Sequence, residues 1–342
     1  MLNKRVRLVG KLVLVCVAAV LLLFTYALNH HTALPVNPDW AVPGEPDVSA
    51  GAVTVRYSGT ATLLFSDGET VWMTDGWFSR PAPLQLVLGK IEPDLSAIEW
   101  GLAANDVDTL AAVVPLHSHY DHAMDAPEVA RRTGAVLMGS DTTAYIGRGW
   151  GLPESQIQVL VDREPFHLGR FEITPIESRH FAFPDPMVRE RGLGSLGLDA
   201  PLVPPVAAFD YPVGKVYLLH VSHPAGSWLI VGSAGYVPDA LRGLEAETVF
   251  LGVGGLGSQS PAYREGYWRE IIETVAASRV VPIHYDSLTG PLRGPFLGPV
   301  TAVAWVSGDE EETRAFLYDK AAANPEIQFM TLPRFEPVLL FP

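Results

Sequence analysis

Six consecutive residues, His117-Ser118-His119-Tyr120-Asp121-His122, include four side chains that can donate an electron pair to a metal ion. Imidazole nitrogens and carboxylate oxygens are ligands of zinc and other first-row metals. The hexapeptide follows an apolar run over 110–116 and precedes a predicted helix over 125–132. A loop that leaves a buried strand can direct alternate side chains at one point, so we expect Ser118 and Tyr120 to turn away. The pattern H-x-H-x-D-H therefore predicts a metal site.

Two isolated histidines stand at predicted strand ends further along the chain. His180 follows a β-rich run over 170–176, and His284 follows a β-branched run over 279–283. A lone histidine is more often a hydrogen-bonded polar residue than a metal ligand. The spacing by itself therefore leaves the roles of both residues open, and we expect His220 and His223 to be structural or exposed.

The elements that must position these side chains follow from local patterns. Short β-rich runs over 53–57, 61–65 and 70–74, separated by serine and glycine turns, predict an antiparallel meander. Later predicted strands lie at 110–115, 135–139, 157–161, 215–221, 227–231, 248–253 and 327–332. Predicted helices lie at 94–104, 141–146, 265–277 and 311–323, the last one preceded by an acidic start over 308–313. The alternation of strands and helices predicts a mixed α/β sandwich.

Composition limits the class of protein. The 342 residues are 48% apolar and 18% charged, with 31 glycines and 29 prolines, which favours one large domain with many turns. The formal net charge is −14. A nucleic-acid-binding surface needs clustered lysine and arginine, so we expect no nucleic-acid partner.

Residues 1–29 form a predicted membrane segment. Four basic residues in the first eleven precede an apolar run over 12–28. The length of this run lies between a signal-peptide core of about 7–15 residues and a membrane span of about 20. We favour an uncleaved anchor, and the positive-inside rule then places the rest of the chain outside the cytoplasm. If the segment is cleaved, the protein is secreted.

Two consequences follow for the remainder of the chain. The single cysteine, Cys16, lies in the apolar run, so metal ligands in the exported part must be histidine, aspartate or glutamate. Residues 30–52 contain four prolines among polar residues and are predicted to be a linker. We therefore expect one folded domain over 53–342.

The hexapeptide, its place after a strand and the later single histidines resemble the metallo-β-lactamase superfamily of metal-dependent hydrolases. The segment Thr74-Asp75-Gly76-Trp77-Phe78-Ser79-Arg80 resembles the branch that contains N-acyl-phosphatidylethanolamine-hydrolysing phospholipase D and the ascorbate-phosphate lactonases. The resemblance covers about 53–284. It implies a four-layer αββα sandwich.

The resemblance also implies the ligands of one or two divalent ions, with Zn²⁺ expected. His117, His119 and His180 would hold the first ion at a site with an open position, which lowers the pKa of water toward ~7. Asp121, His122 and His284 would hold the second ion. If only the first site fills, Asp121 is the expected general base and His284 the expected proton donor to the leaving group.

Three carboxylate and hydroxyl positions refine this expectation. By its place at a strand end, Asp75 is expected to orient a ligand histidine, with capping of a turn as the alternative. Most superfamily members carry an aspartate that bridges the two metals where this chain has Ser233, and a neutral hydroxyl should weaken the second ion. Asp286 shares a face with His284 if the chain is extended there, so it could supply the missing carboxylate.

Two loops are candidates for contact with substrate. The apolar segment 81–91 could form a lip over the site or belong to the core. The segment 182–205, rich in proline and glycine, is expected to be a cover without regular structure of its own. Arg179, Arg189 and Arg191 could receive an anionic substrate, or they could be solvated loop charges.

Together these features predict a metal-dependent hydrolase of an ester-type bond. The branch resemblance, the anchor and the apolar lip favour a phosphodiester or lipid-like ester, and a lactone is the competing substrate. A membrane-tethered scaffold that has lost catalysis, with Ser233 as the trace of that loss, is the alternative from another class. The complete set of histidines and Asp121 favours the enzyme.

Overall fold

The computed structural model describes residues 2–44, 51–195, 197–307 and 310–342. Part of the predicted linker (45–50), Leu196 of the glycine-rich run and the Gly308-Asp309 helix start lie outside these residues. Within the described residues the strands are β1 (Val53–Gly59), β2 (Thr62–Ser66), β3 (Val71–Thr74), β4 (Ala112–Val114), β5 (Val136–Gly139), β6 (Ile157–Val159), β7 (Phe166–Leu168), β8 (Phe171–Ser178), β9 (Val216–His223), β10 (Gly226–Val231), β11 (Thr248–Gly252), β12 (Arg279–Ile283), β13 (Gln328–Phe329) and β14 (Val338–Phe341).

The α-helices in the same ranges are α1 (Leu2–Asn29), α2 (Pro83–Leu88), α3 (Leu95–Ala104), α4 (Tyr120–Ala123), α5 (Ala126–Thr133), α6 (Asp141–Gly149), α7 (Pro186–Leu193), α8 (Pro261–Trp268), α9 (Thr301–Ser307) and α10 (Glu310–Ala323). Short 3₁₀ helices lie at Pro38–Trp40, Glu154–Gln156 and Ala208–Asp210, and α8 continues into a π-helical turn, Arg269–Glu273.

The strands form two sheets of seven strands each. The order in the first sheet is β14-β1-β2-β3-β4-β5-β6, and in the second it is β13-β12-β11-β10-β9-β8-β7. Apolar side chains from the facing sides of both sheets belong to one buried core. A second cluster lies between the first sheet and helices α3 and α5, while α8 and α10 pack on the second sheet. The arrangement is the predicted four-layer αββα sandwich.

Strand direction explains where a site can form. The opening meander β1-β2-β3 is antiparallel, as predicted, whereas β3, β4, β5 and β6 are parallel, and so are β10, β11, β12 and β13. The carboxyl ends of parallel strands lie along one edge of a sheet. The segments that follow β3, β4, β10 and β12 therefore lie along the same edge of the sandwich.

Aromatic side chains connect the two sheets. Phe65 of β2 is fully buried, and its ring centroid lies 4.8 Å from that of Trp72, 5.3 Å from Trp228 and 5.4 Å from Phe250. Trp72 belongs to the first sheet, and Trp228 and Phe250 belong to the second. Phe65 thus fills the centre of the core by stacked and edge-on contacts.

Two segments expected to be irregular contain helices. The segment 81–91 includes α2, and 182–205 includes α7, so the prediction of a cover without regular structure was wrong. The carboxylate of Asp185 explains α7, because its Oδ1 accepts hydrogen bonds from the backbone N–H groups of Met187 and Val188. Pro186 at the first helical position adds a second helix-start signal.

The end of the chain also differs from the sequence-based expectation. Helix α9 and strand β14 were not predicted, and β14 pairs antiparallel with β1 to complete the first sheet. The predicted strand over 327–332 is shorter, since β13 covers only Gln328–Phe329. The predicted helix over 265–277 starts earlier, at Pro261, where the Ser260 side chain caps it.

The N-terminal segment is one long helix. Residues Val6–Asn29 of α1 are long and apolar enough to cross a membrane, with a mean hydropathy of 2.7, and a signal sequence would satisfy the same criterion. The following residues contact the sandwich: His31 forms a β-bridge with Val300, and the Trp40 ring lies 4.8 Å from that of Phe329. The proposed division at residue 53 stays a prediction.

Replacing Phe65 with alanine should lower the free energy of unfolding by about 3–5 kcal/mol, because it leaves a cavity between the two sheets. Urea unfolding of the full chain in detergent, followed by tryptophan fluorescence, measures the change. Phe209→Ala is the control, since the Phe209 side chain is 40% exposed. Equal losses in the two variants would contradict the central role of Phe65.

Candidate metal centre

Three histidines from two distant segments meet at the carboxyl edge of the sandwich. His117 and His119 follow β4, and His180 follows β8. One ring nitrogen from each lies within 4.8 Å of the others. The Nε2 atom of His117 is 3.1 Å from the Nδ1 atom of His119. The structure therefore brings together the three residues expected to hold the first ion.

The remaining three expected ligands form a second group. The Nε2 atoms of His122 and His284 lie 3.2 Å apart, and Asp121 Oδ2 is 3.5 Å from the former and 3.3 Å from the latter. Two donors about 2.0–2.1 Å from one tetrahedral ion are about 3.3–3.4 Å apart. The donor spacing in the second group, and between His117 and His119 in the first, is thus close to what binding to one ion requires.

The second nitrogen of most rings is held by an acceptor. His119 Nε2 is 2.9 Å from the Gly192 carbonyl, His180 Nδ1 is 2.8 Å from the Phe181 carbonyl, and His122 Nδ1 is 2.6 Å from Asp75 Oδ2. Such contacts set the tautomer and leave the other nitrogen free to bind a metal. The Nδ1 atom of His117 is buried and has no partner among the described residues.

Asp75 links the strand ends that carry the ligands. One carboxylate oxygen accepts from His122, and the other accepts the backbone N–H of Leu116 at 2.9 Å, immediately before His117. Asp75 is fully buried and has a left-handed backbone with φ 54°. This placement agrees with the expected orienting role of Asp75. Sequence alone did not indicate the contact with Leu116.

The hexapeptide is not an extended loop throughout. His119 caps the short helix α4, whose first turn contains Tyr120, Asp121 and His122. Ser118 turns away as expected, toward Ser140 and Thr143. Tyr120 lines the same cavity as four of the ligands, and its ring centroid lies 6.1 Å from that of Trp77. The helical turn replaces the alternation that the prediction assumed.

The loop that carries His284 is held by the β1–β2 turn. The backbone N–H of His284 lies 2.6 Å from the Thr60 carbonyl and 3.0 Å from the Tyr57 hydroxyl. His284 has φ 60° and Thr60 has φ 55°, so both backbones are in the left-handed region, which costs energy for residues other than glycine. These hydrogen bonds keep the loop in the conformation that directs the His284 ring at Asp121.

The Asp286 carboxylate lies in this turn network and not at the metal ligands. Its Oδ1 atom accepts from the backbone N–H of Thr60 at 2.6 Å and from the Tyr57 hydroxyl at 3.3 Å. The positive φ of His284 breaks the alternation of an extended strand, so Asp286 does not share its face. The suggestion that Asp286 replaces the bridging carboxylate was therefore wrong.

Ser233 lies where strand β10 delivers the chain to the site. It is 5% exposed and lines the cavity, and its hydroxyl accepts the backbone N–H of Phe181 at 3.4 Å, next to His180. No carboxylate other than Asp121 belongs to either donor group in the described part of the chain. The site thus has one acidic ligand for two ions.

Electrostatics keep the histidines of the first group and Asp121 in the forms that bind metal. For His122, burial would lower the pKa, but Asp75 and Asp121 outweigh it and raise that pKa. Burial, together with the neighbouring histidines, holds the pKa of His117 and of His180 well below its usual value, so both rings are neutral at pH 7. Burial by itself would raise the pKa of Asp121, but His122 and His284 outweigh this effect and hold that pKa below its usual range. Asp121 therefore stays ionised, which suits a ligand better than a general base.

A cavity of about 420 Å³ opens over both donor groups. Its polar floor consists of His119, Tyr120, Asp121, His180, Ser233 and His284. Apolar side chains form much of its wall, among them Leu86, Phe183, Phe209, Val253, Leu288 and Val300. The shape and chemistry fit a ligand with an apolar body and one polar group at the metal ligands.

The three arginines predicted to bind substrate do not line this cavity. Arg179, Arg189 and Arg191 are exposed, and the Arg189 guanidinium donates to the backbone carbonyls of Phe183 and Pro184. Arg179 follows β8, and Arg189 and Arg191 lie on α7. Helix α7 instead contributes the Gly192 carbonyl, which orients the His119 ring. A contact made by a backbone carbonyl cannot be predicted from a pattern of side chains.

No protein-family model matches the sequence, and no curated protein matches it. Among solved structures the chain is similar to Igni18, a novel metallo hydrolase from the archaeon Ignicoccus hospitalis, with 15% identity, a TM-score of 0.51, and 84% of this chain and 97% of that chain covered. It is also similar to CmlA, a diiron β-hydroxylase from Streptomyces venezuelae, with 13% identity, a TM-score of 0.50, and 86% and 55% covered.

A third similar structure is the metallo-β-lactamase fold protein YhfI from Bacillus subtilis, with 13% identity, a TM-score of 0.44, and 84% of this chain and 99% of that chain covered. The predicted four-layer αββα sandwich is confirmed, and the chain shares its fold with the metallo hydrolase Igni18. At these identities the likeness extends to the fold, and the chemistry must be argued from the residues of this chain.

Replacing Asp75 with asparagine should weaken metal binding at the second group by 10- to 100-fold, about the effect of removing a partner that orients a ligand. Asparagine still accepts from Leu116, so the loop is retained while the charge beside His122 is lost. Titration calorimetry of the metal-free full chain with Zn²⁺ measures the affinity. Asp67→Asn is the matched control, because Asp67 forms another buried pair, with His223, at 3.3 Å. Equal affinities in the two variants would refute the role of Asp75.

Replacing Ser233 with aspartate should raise the metal content from near one ion per chain to two. A second carboxylate offsets the repulsion between two divalent ions. Elemental analysis of the full chain gives the ratio, and Ser233→Asn controls for side-chain size without charge. Two tightly held ions in the unaltered chain would show that the serine does not weaken the second site.

Proposed function

We propose that this protein is a metal-dependent hydrolase, anchored by α1 in a membrane, that cleaves an ester-type bond in a lipid-like substrate. The observation that carries the proposal is the convergence of six candidate metal ligands in two groups, four of which (His119, Asp121, His180 and His284) line one largely apolar cavity. A phosphodiester or a lipid-like carboxylic ester is the first candidate bond, and a lactone is the competing one.

The residues present fit a divalent metal. The donors are five histidines and one ionised carboxylate. In the first group, backbone carbonyls hold His119 Nε2 and His180 Nδ1, so the other ring nitrogen of each is left for a metal. Histidine and carboxylate sets suit zinc and also iron, so the ligands do not select between them. A divalent ion held there lowers the pKa of water to about 7, which hydrolysis at neutral pH requires.

The side chains around the donors supply orientation and proton transfer. If only the first group holds an ion, Asp121, which remains ionised and lies 3.3 Å from His284 Nε2, would orient the His284 ring by accepting its hydrogen bond. His284 also lines the cavity, and its side chain is 16% exposed, which makes it the residue placed to protonate a departing oxygen. Tyr120 adds a neutral hydroxyl, because burial raises its pKa well above the usual value.

The cavity wall supports a lipid-like substrate. Its described lining contains no lysine or arginine. The negative charge of a phosphate group would therefore have to be balanced by a divalent ion at the donor groups and not by a cationic side chain. The apolar wall would bury acyl chains, which supply binding energy roughly in proportion to the area removed from water. A scaffold without catalysis would have no physical need for donors spaced as an ion requires.

Anchoring in a membrane is part of the same proposal. The residues of α1 that precede Ala27 are exposed wherever the structure describes their side chains, and apolar side chains in this number are unfavourable in water. The basic residues at the start of α1 would remain in the cytoplasm, which places the sandwich outside it. Cleavage after α1 would give a secreted form of the same enzyme.

Zn²⁺-loaded full chain in detergent should hydrolyse at least one of three probes: bis(4-nitrophenyl) phosphate, a long-chain 4-nitrophenyl ester or a long-chain lactone. EDTA should abolish the activity, and His119→Ala should lower kcat by at least about 100-fold, since even partners of a ligand contribute 10- to 100-fold. His220→Ala is the control, because the His220 ring is hydrogen-bonded to the Glu245 carbonyl at 2.9 Å and belongs to neither donor group. Full metal loading without hydrolysis of any probe would favour the scaffold instead.

A further inference from the structure

The mouth of the cavity has an apolar rim. Val87 of α2, Phe209 of a 3₁₀ helix and Val303 of α9 all line the cavity, yet 70%, 40% and 41% of their surfaces are exposed. A residue that both lines a cavity and faces outward lies at its edge. Three separate elements thus place apolar side chains around the opening.

More apolar side chains are exposed next to this rim. Leu84 and Leu88 of α2 are 46% and 81% exposed, Met187 of α7 is 62% exposed, and Trp305 of α9 is 62% exposed. Helix α2 buries none of its residues. We call these four residues together with Val87, Phe209 and Val303 the mouth surface. An exposed apolar set of this kind marks an interaction site.

The predicted anchor ends at the same opening. Leu28, in the last turn of α1, lines the cavity, and its neighbour Ala27 is fully buried. His30, two residues after Leu28, is bound to α9. Its carbonyl accepts hydrogen bonds from the backbone N–H of Thr301 at 2.8 Å and from the Thr301 hydroxyl at 2.9 Å. No flexible tether separates the apolar helix from the mouth surface, so a bilayer spanned by α1 must lie against it.

The charge around the opening indicates which interaction would hold the mouth surface on a bilayer. The described lining of the cavity contains no lysine or arginine, and the chain has a formal net charge of −14. Attraction to anionic lipids needs basic clusters. The described lining instead includes Asp185 and Glu310, and Arg189 and Arg191 are exposed on α7, the helix of Met187. Insertion of apolar side chains is independent of lipid charge, and tryptophan is favoured at the membrane interface.

We propose that the mouth surface docks on the outer leaflet of the bilayer that α1 spans, so that the cavity opens into lipid and not into water. The proposal rests on the anchoring part of the proposed function and adds the route of the substrate. A lipid would move from the leaflet past Val87, Phe209 and Val303 toward the metal ligands without exposing its acyl chains to water. The substrate therefore enters the cavity from the membrane, and a lipid dissolved in water is a poor competitor for the site.

Site-directed fluorescence measures the contact directly. The single cysteine is first removed by Cys16→Ser, and then Leu88→Cys or Trp305→Cys provides a site for an NBD label in the full chain, reconstituted in phosphatidylcholine vesicles. Glu69→Cys is the matched control, because Glu69 is exposed in the β2–β3 turn, at the end of β3 opposite Asp75. Iodide quenches from water, and doxyl-labelled phosphatidylcholine quenches from the bilayer.

Labels at 88 and 305 should be quenched several-fold more by the doxyl lipid, and several-fold less by iodide, than the label at 69. Quenching by iodide equal to that at 69 would overturn the proposal. Shielding from iodide without quenching by the lipid would also overturn it, since a second copy of the chain would then cover the mouth surface. The measurement uses no substrate, so failure to hydrolyse any probe would reject the enzyme proposal while leaving this result intact.

Discussion

The carboxylate of Asp75 is the contact on which the geometry of the site depends. It joins the end of β3 to the end of β4 through Leu116, and it fixes the ring of His122. Burial raises the pKa of Asp75, and His122 opposes this by favouring the charged form, so the two groups hold one another in place. Because His117 follows Leu116 directly, one buried group aligns ligands of both donor groups.

A comparable contact holds the other side of the site. The β1–β2 turn and the segment after β12 grip one another through Tyr57, Thr60 and Asp286, and this keeps His284 in an unfavourable backbone conformation. Conformational strain of this kind persists only where the surroundings enforce it, and it is frequent at functional sites. With Ser233 in place of a second carboxylate, the two donor groups are unequal: the first consists of three histidines, and Asp121 in the second is the one carboxylate of either group among the described residues.

Much of this arrangement could be predicted from the sequence, because it depends on residues that are close together along the chain. The spacing of His117, His119, Asp121 and His122 is contained in six residues, and the opening meander follows from short β-rich runs and glycine turns. Strand β14 could not be predicted in the same way, since it forms only by pairing with β1, nearly three hundred residues earlier. The direction of the Asp286 side chain depends on the positive φ of His284, which is enforced by a turn from another part of the chain. Arg179, Arg189 and Arg191 do not line the cavity, because nearness to His180 in sequence does not determine where a side chain lies in the fold.

The most direct test is X-ray diffraction at the zinc absorption edge from crystals of the full chain grown with Zn²⁺. The account predicts an anomalous peak about 2.1 Å from His117 Nε2, His119 Nδ1 and a nitrogen of His180, with a second, weaker peak beside Asp121, His122 and His284. Absence of a peak among the three histidines, with zinc bound elsewhere or not at all, would contradict the existence of the metal centre and with it the proposed hydrolase.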